Sequence, residues 1–518
     1  MTARNGFDAV IVGSGIGGLS CAAALAKLGR RALVLEQHTT AGGLTHMFAR
    51  DGFTWDVGVH YLGDMGTGGQ ARRLFDWLSG GRLEWAPLGE VYEIVRFPGG
   101  FEFRYPRSEG ALRRALAERF PDAAAQIETF FAMLAQCERE SFPLLQLRAM
   151  PRPMAALMRP FKARALQRWW GRTIDEVMVE AIPDPQLRAV LTAQWPDHGG
   201  RPSQGSFALH ATILRFYLEG GYYPVGGARS FADTLLPVIA AAGGAVETGA
   251  TVERILIENG RAVGVVAADG RQWRAPHVVS DSGARTTVDA LLPEPQRSGA
   301  WAARIRSLGP SPCHLCLYLG LEGDVQDAGA TRANHWIYES WDVDGATWRD
   351  PFEQAQASML YVSFPSLKDP KHDPGARRRH TAEVVTWADW SLFEPWASTR
   401  YGERPPEYAA LKESIENALL AQFGRHFPRL GPMVALHELS TPLTATHFLR
   451  REQGAIYGLE ATPRRFLSDA LNIRTPIKGL YLAGQDVFTT GVVSATMAGV
   501  YAAAAIDPRL FRALRTIP

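Results

Sequence analysis

The sequence predicts an α/β fold whose parallel strands are buried on both faces, and three observations predict it. Residues 7–12 (Phe-Asp-Ala-Val-Ile-Val) form a short apolar run rich in β-formers. A glycine-rich turn, an Ala-rich helical stretch at 19–28 ended by Gly29, and a second apolar run at 32–35 follow at once. Continuous apolar runs of this length suit strands covered by helices on each side. The same texture returns at 225–283 and again at 479–506. Finally, two long blocks, 71–219 and 300–444, separate these stretches and hold 12 of the 14 Trp.

The first stretch is a β–turn–α–β unit. Its turn, Gly13-Ser14-Gly15-Ile16-Gly17-Gly18, opens a helix directly after a buried strand, and Glu36 ends the next strand. A G-x-G-x-x-G alone is weak evidence, but this context is specific. Gly13 permits the tight turn, Gly15 lets the backbone approach a pyrophosphate, and Gly18 allows close helix–strand packing. A diphosphate then sits on the helix N-terminus, and the Glu36 carboxylate takes the ribose hydroxyls. The second stretch predicts a helix over 230–242 after Gly226-Gly227, then strands at 245–247 and 251–258. Asn259-Gly260 turns that last strand back onto 262–267, the strongest hairpin signal in the chain. The third predicts a strand at 479–484 and a helix at 492–506. The order of stretches and blocks predicts two spatial domains. One is a Rossmann-like domain from 1–70, 220–299 and 445–518; the other is an α+β substrate domain from 71–219 and 300–444.

Composition sets limits on partners and location. The chain has 518 residues, 46% apolar and 21% charged, with 55 Lys and Arg against 53 Asp and Glu. So small a positive surplus argues against nucleic acid as a main partner. Four cysteines (Cys21, Cys137, Cys313, Cys316) cannot form a disulfide framework, so a reducing, cytoplasmic setting is expected. No secretory signal pattern opens the sequence. The uncharged stretch 487–506 is long enough to span a bilayer, but its Gly, Ser and Thr content and its place after a cofactor motif favour a buried helix.

The dinucleotide reads as FAD rather than NAD. Gly42-Gly43 can approach the same cofactor, Asp486 in Gly484-Gln485-Asp486 offers a carboxylate to a polyol chain, and Gly491 opens a helix whose amides could face a flavin pyrimidine. No second G-x-G-x-x-G offers a seat for a pyridine nucleotide.

At these residues the sequence resembles the phytoene desaturase, carotenoid isomerase and retinol saturase family of FAD-dependent oxidoreductases, closer to the retinol saturase-like branch. The matching segments include the glycine turn, Glu36 with Gly42-Gly43, Asp56-Val-Gly58-Val-His60-Tyr61, Pro202-Ser203-Gln204 running to His210, and Tyr223-Pro-Val-Gly226-Gly227. They continue with Phe364-Pro-Ser-Leu-Lys-Asp-Pro370, Gly454-Ala-Ile-Tyr457-Gly458-Leu459 and Gly484-Gln485-Asp486. The resemblance implies an FAD-binding domain of the glutathione reductase/amine oxidase type interleaved with the substrate domain. The cofactor set it implies is Gly13, Ser14, Gly15, Ile16, Gly17, Gly18, Glu36, Gln37, Gly42, Gly43, Leu44, Val252, Gly484, Asp486, Gly491 and Val492. It also implies hydride transfer to or from flavin N5 at a C=C bond of an apolar polyene or isoprenoid of the carotenoid or retinoid kind, as a saturase or a desaturase, with an external electron donor or acceptor.

Such a reaction leaves a carbon that needs a proton. His60, Tyr61, His210 and Tyr457 lie in matching segments and are the candidates. His60 leads, because an unperturbed pKa near 6.5 suits proton exchange. No metal is expected: Cys313-His-Leu-Cys316 lies on a strand and has no second cysteine pair to complete a site. Residues 143–174 carry seven basic residues and no acidic one, among Met150, Met154, Leu157, Met158, Phe161, Leu166, Trp169 and Trp170. That pattern suits a segment lying on anionic lipid, and so peripheral attachment at the cytoplasmic membrane. Three alternatives remain at this stage. They are a redox-neutral cis–trans isomerase using reduced FAD, a non-catalytic prenyl-lipid carrier of the fold of Rab GDP-dissociation inhibitors, and an amine-oxidase-type enzyme.

Overall fold

The computed structural model describes residues 6–351 and 354–515. Residues 1–5 and 516–518, at the ends of the predicted FAD-binding stretches, and 352–353 in the second block lie outside them. Three separated stretches of chain build one parallel sheet. Its strands are β1 (Ala9–Val12), β2 (Ala32–Leu35), β3 (Ala245–Glu247), β4 (His277–Ser280) and β5 (Leu480–Leu482), in the order β5-β4-β1-β2-β3. Every residue of β1 and β2 is buried, as their unbroken apolar runs require. The Asn259-Gly260 hairpin forms as expected, joining Val252–Glu258 to Arg261–Ala267, with both turn residues at positive φ.

The first helix, α1 (Ile16–Ala26), begins three residues before the predicted start at Leu19, so the motif glycines Gly17 and Gly18 are themselves helical. The apolar stretch at the C-terminal end forms α2 (Val492–Ile506), only 15 residues long and packed against α1. Among the described residues no helix is long and apolar enough to cross a membrane. The α1–α2 contact depends on glycine. A Cβ at Gly499 would lie 2.0 Å from the Gly17 carbonyl oxygen, and one at Gly18 would lie 2.2 Å from the Gly13 carbonyl oxygen.

The second sheet is mostly antiparallel. Its main path runs Val434–Ser440, Cys313–Glu322, Arg379–Ala388, Met359–Ser363, Asn334–Tyr338, Val91–Phe97 and Phe101–Pro106, with Thr347–Trp348 beside Arg379–Ala388. Register sets Asn334 opposite Glu93 in the parallel pair and Ser363 opposite Glu383 in an antiparallel one. The hairpin of Met47–Arg50 and Phe53–Asp56 reaches this sheet, where the Trp55 indole donates to the Leu319 carbonyl at 3.1 Å. Residues 57–61, which follow that hairpin, therefore run along the seam between the two sheets.

Gly499→Ala is expected to destabilise the protein by about 1–3 kcal/mol, because backbone on both sides leaves the methyl no room. Gly424, inside the helix Pro406–His426 with open space around its Cβ direction, is the matched control. Gly424→Ala should stabilise by about 0.5–1 kcal/mol through the unfolded chain. Denaturant titration of both variants checks the opposite signs.

Candidate functional site

A cavity of about 900 Å³ begins at the glycine turn and runs to the seam between the sheets. Its outer wall is lined by Gly13, Gly15, Ile16, Gly17, Glu36, Gln37, Gly42, Gly43, Leu44, Val252, Gly484, Asp486, Gly491 and Val492. Ser14 and Gly18 lie behind it. The Ser14 hydroxyl donates to Glu36 Oε2 at 2.7 Å and accepts the Gly42 amide at 3.0 Å, tying the glycine turn to the second glycine pair. Glu36 also accepts the backbone amides of Ser14 and His38, so its carboxylate is held at the end of β2. Asp486 does not stand free as expected. Its two oxygens accept the Ala284 and Leu459 amides at 2.7 and 2.9 Å and join two loops in the wall.

Sequence reasoning missed Asp281, one residue past β4. Cβ atoms on Gly15, Gly17 and Gly484 would fall 2.4–2.5 Å from its carboxyl oxygens, so this carboxyl fills the concavity that three glycines leave. Burial raises its pKa to about 7, against the opposing hydrogen bond from the Gly18 backbone. An acidic residue directly after a buried parallel strand was the available signal.

The inner end is a chamber walled by Trp336, Met359, Tyr361, Val385 and Trp387, with His60, Asp197 and Tyr457 exposed to it. Behind these lies a polar cluster with four carboxyls and one ammonium. Lys368, 2% exposed, donates to the His60 carbonyl at 2.9 Å, to Asn334 Oδ1 at 2.5 Å and to Ser363 Oγ at 2.7 Å. His60 Nδ1 lies 2.7 Å from Glu383 Oε2. The Tyr61 hydroxyl contacts both Glu93 and Asp197, the latter at 2.5 Å. The Tyr223 hydroxyl donates to Asp56, which also accepts the Ala228 amide at 2.8 Å.

Four carboxyls around one cation cannot all ionise in a dry interior. Burial raises Asp56 and Asp197 to about 7 and Glu383 to about 8, and pushes Glu93 well above the usual carboxylate range. The same burial lowers Lys368 to about 7. The cluster therefore stores protons at neutral pH. The sequence carried a signal for it: Glu93 and Glu383 are the single acids of the strands Val91–Phe97 and Arg379–Ala388, each set between two apolar neighbours, Tyr92 and Ile94 or Ala382 and Val384.

Three expectations need correction. His60 reaches the chamber but not with an ordinary pKa; burial and the Lys368 charge lower it to about 3, so with Glu383 it forms a neutral pair rather than an ion pair. His210 lines no part of the cavity. It sits on the buried face of the helix Phe207–Tyr217, with Nδ1 3.1 Å from His198 Nε2 and Nε2 2.9 Å from the Leu191 carbonyl. In the basic stretch, Leu166, Trp169 and Trp170 are core residues. Arg148 there is also buried, its guanidinium satisfying the carbonyls of Val487, Phe488, Arg465 and Phe466. What stays outside is the helix Arg152–Ala165. It has no buried residue, and Met154, Leu157 and Phe161 on it are 52%, 69% and 78% exposed. Cys313 and Cys316 are free and buried, and among the described residues no side-chain cluster could hold a metal ion.

The glycine-lined cleft opens into an aromatic chamber on a fold shared with amine oxidases. Residues 11–78 match the NAD(P)-binding Rossmann-like domain. Cyclohexylamine oxidase from Brevibacterium oxydans superposes with a TM-score of 0.61 at 17% identity, covering 98% of this chain and 100% of that one. All-trans-retinol 13,14-reductase of Rattus norvegicus is 33% identical over 523 residues, 97% of this chain and 86% of that protein. Chloroplastic prolycopene isomerase of Arabidopsis thaliana is 27% identical, over 96% of this chain and 82% of that one. The chain belongs to the retinol saturase and carotenoid isomerase family of oxidoreductases.

The cluster makes stability depend on pH. Glu383, raised from its ordinary 4.5 to about 8 by burial, contributes stability that is complete below about pH 4.5 and lost as pH rises through about 8. Glu383→Gln keeps a hydrogen-bonding group for His60 and lacks that titration. Thermal melts should show the variant gaining on wild type steadily across this window; parallel curves would contradict the assignment.

Proposed function

We propose that the chain binds FAD in the cleft and saturates a C=C bond of an apolar conjugated polyene of the retinoid or carotenoid class. The observation that carries the reading is the single cavity joining the glycine wall to the aromatic chamber, with a proton-storing cluster behind the chamber. The residues present fit the cofactor. Gly15, Gly17 and Gly484 leave a cradle that any Cβ would fill, the N-terminus of α1 opens beside it with no side-chain cap, and Glu36 stands at the end of β2. Val252 lines the far part of the cleft, and the N-terminus of α2 at Gly491 faces it from the other side. Asp281 stands among these glycines, and because burial raises it to about 7 its protonated form sets no negative charge against a diphosphate there. Bound flavin supplies hydride chemistry at carbon. The protein's own contribution is to seat an apolar chain between Trp336, Tyr361 and Trp387, to exclude water from it, and to hold protons at its edge.

The similarity to a prolycopene isomerase favours one further reading, isomerisation in the same site without net redox change. The purified protein is expected to be yellow, to release FAD on denaturation, and, once reduced without oxygen, to convert all-trans-retinol or a carotenoid. Product mass decides: a gain of two hydrogens supports saturation, and an unchanged mass with altered double-bond geometry supports isomerisation. A colourless protein that FAD does not reconstitute overturns both.

Attachment to a lipid surface is the finer part of the reading. Arg152–Ala165 presents exposed Met154, Leu157 and Phe161 among Arg159, Lys162 and Arg164, which suits an anionic bilayer where an apolar substrate would dissolve. The double variant Leu157→Glu with Phe161→Glu should partition onto anionic vesicles at least ~10-fold less than wild type, given the apolar area withdrawn. Vesicle flotation measures this.

A further inference from the structure

Resting on the reaction proposed above, we propose that Asp197 is the acid that delivers the proton to substrate carbon, with Tyr61 and Glu93 as positioning residues that stabilise its conjugate base.

The Tyr61 hydroxyl lies within hydrogen-bond reach of two carboxyls, Glu93 and Asp197, yet has one hydrogen to give. One carboxyl must therefore carry its own proton and donate to the phenol oxygen. Burial raises both, Glu93 further, and its second oxygen already accepts the Gln194 amide. Glu93 thus keeps its proton and donates to the phenol, and the phenol donates to Asp197 Oδ2. Asp197, raised to about 7 by burial, holds a proton of its own below that pH and is the first of the two to part with one.

Position gives the same answer. Of the three, Asp197 lines the main cavity, and it also lines a smaller one of about 150 Å³ that adjoins it through Gly58, His60 and Tyr457. Glu93 is fully buried behind it. The groups whose charge or hydrogen bonding is coupled to Asp197 are Tyr61, Tyr92, Tyr217, Tyr338, Tyr361, Tyr457, Glu93 and Lys368. Lys368 is committed to three acceptors elsewhere, and His60, neutral and tied to Glu383, has no spare proton to offer.

The step balances as follows. Hydride supplied by the reduced flavin forms a C–H bond at one end of the double bond, and the π electrons move to the adjacent carbon. That carbon takes the Asp197 proton. The O–H bond breaks and its electron pair stays on the carboxylate. Tyr61 then donates to the new anion while Glu93 donates to the Tyr61 oxygen, so two donors in series point at the developing charge. Asp197 regains a proton from water when product leaves the cavity.

Three measurements on the holoenzyme test this. In anaerobic single turnover with all-trans-retinol, Asp197→Asn should be slower by ~100-fold or more with FAD content unchanged. Tyr61→Phe removes the donor to the conjugate base and should move the alkaline limb of the rate profile up by about one to two pH units, which a merely structural role would not do. Infrared difference spectra of wild type against Asp197→Asn should show a protonated-carboxyl C=O band that fades above about pH 7, with no substrate present. Wild-type turnover in Asp197→Asn, or absence of the band, overturns the proposal whatever the polyene does. If the band is present and wild-type holoenzyme leaves the polyene unchanged, the reaction itself was misread, and the role of Asp197 as carbon acid falls with it.

Discussion

One buried ammonium holds the site together. Lys368 reaches from the end of the short helix Pro365–Lys368 to the His60 carbonyl on the seam, Asn334 on one strand and Ser363 on another. A lysine taken out of water is costly unless its donors are met and countercharge is near. Both conditions are supplied here, by three acceptors and by Asp56, Glu93, Asp197 and Glu383 around it. Those carboxyls come from elements scattered along the chain, so the ammonium is as much a registration device between the sheets as a charge. The part of the chamber wall that His60 forms follows from it.

The cavity has walls of two kinds. The outer wall is built around glycines and the N-termini of two helices, with the carboxyls of Glu36, Asp281 and Asp486 set among them. The inner wall is aromatic on one side and proton-bearing on the other. Because the acids are buried, they hold protons to far higher pH than ordinary carboxyls do, Glu93 and Glu383 further than Asp56 and Asp197. A polyene laid along Trp336, Tyr361 and Trp387 would meet this polar edge at His60, Asp197 and Tyr457, where the two kinds of wall join.

The legible parts of this architecture are the local ones. The glycine turn, its strand, its helix and Glu36 lie within thirty residues, and each constrains the others, so chemistry and geometry could be read together. The hairpin at Asn259-Gly260 was legible for the same reason. Lys368, Glu93, Glu383 and Asp197 were not, since only strand register brings Asn334 beside Glu93 and Ser363 beside Glu383. His60 was found but its charge state was misjudged, because burial, not residue type, sets it. His210 shows the reverse error: a residue in a family-like segment whose helix face turns it toward His198 and away from the cavity.

Arg148 carries a mechanical implication. It sits just before the exposed helix Arg152–Ala165 and is moored to the carbonyls of Val487 and Phe488, a few residues ahead of the N-terminus of α2. The root of the outward-facing helix is thus pinned to the segment between Asp486 and Gly491, both of which line the cleft. Whatever plane that helix rests on also fixes the tilt of the cleft above it, so the molecule would lie on such a plane in one attitude instead of rolling freely, with its greasy channel always presented at the same angle.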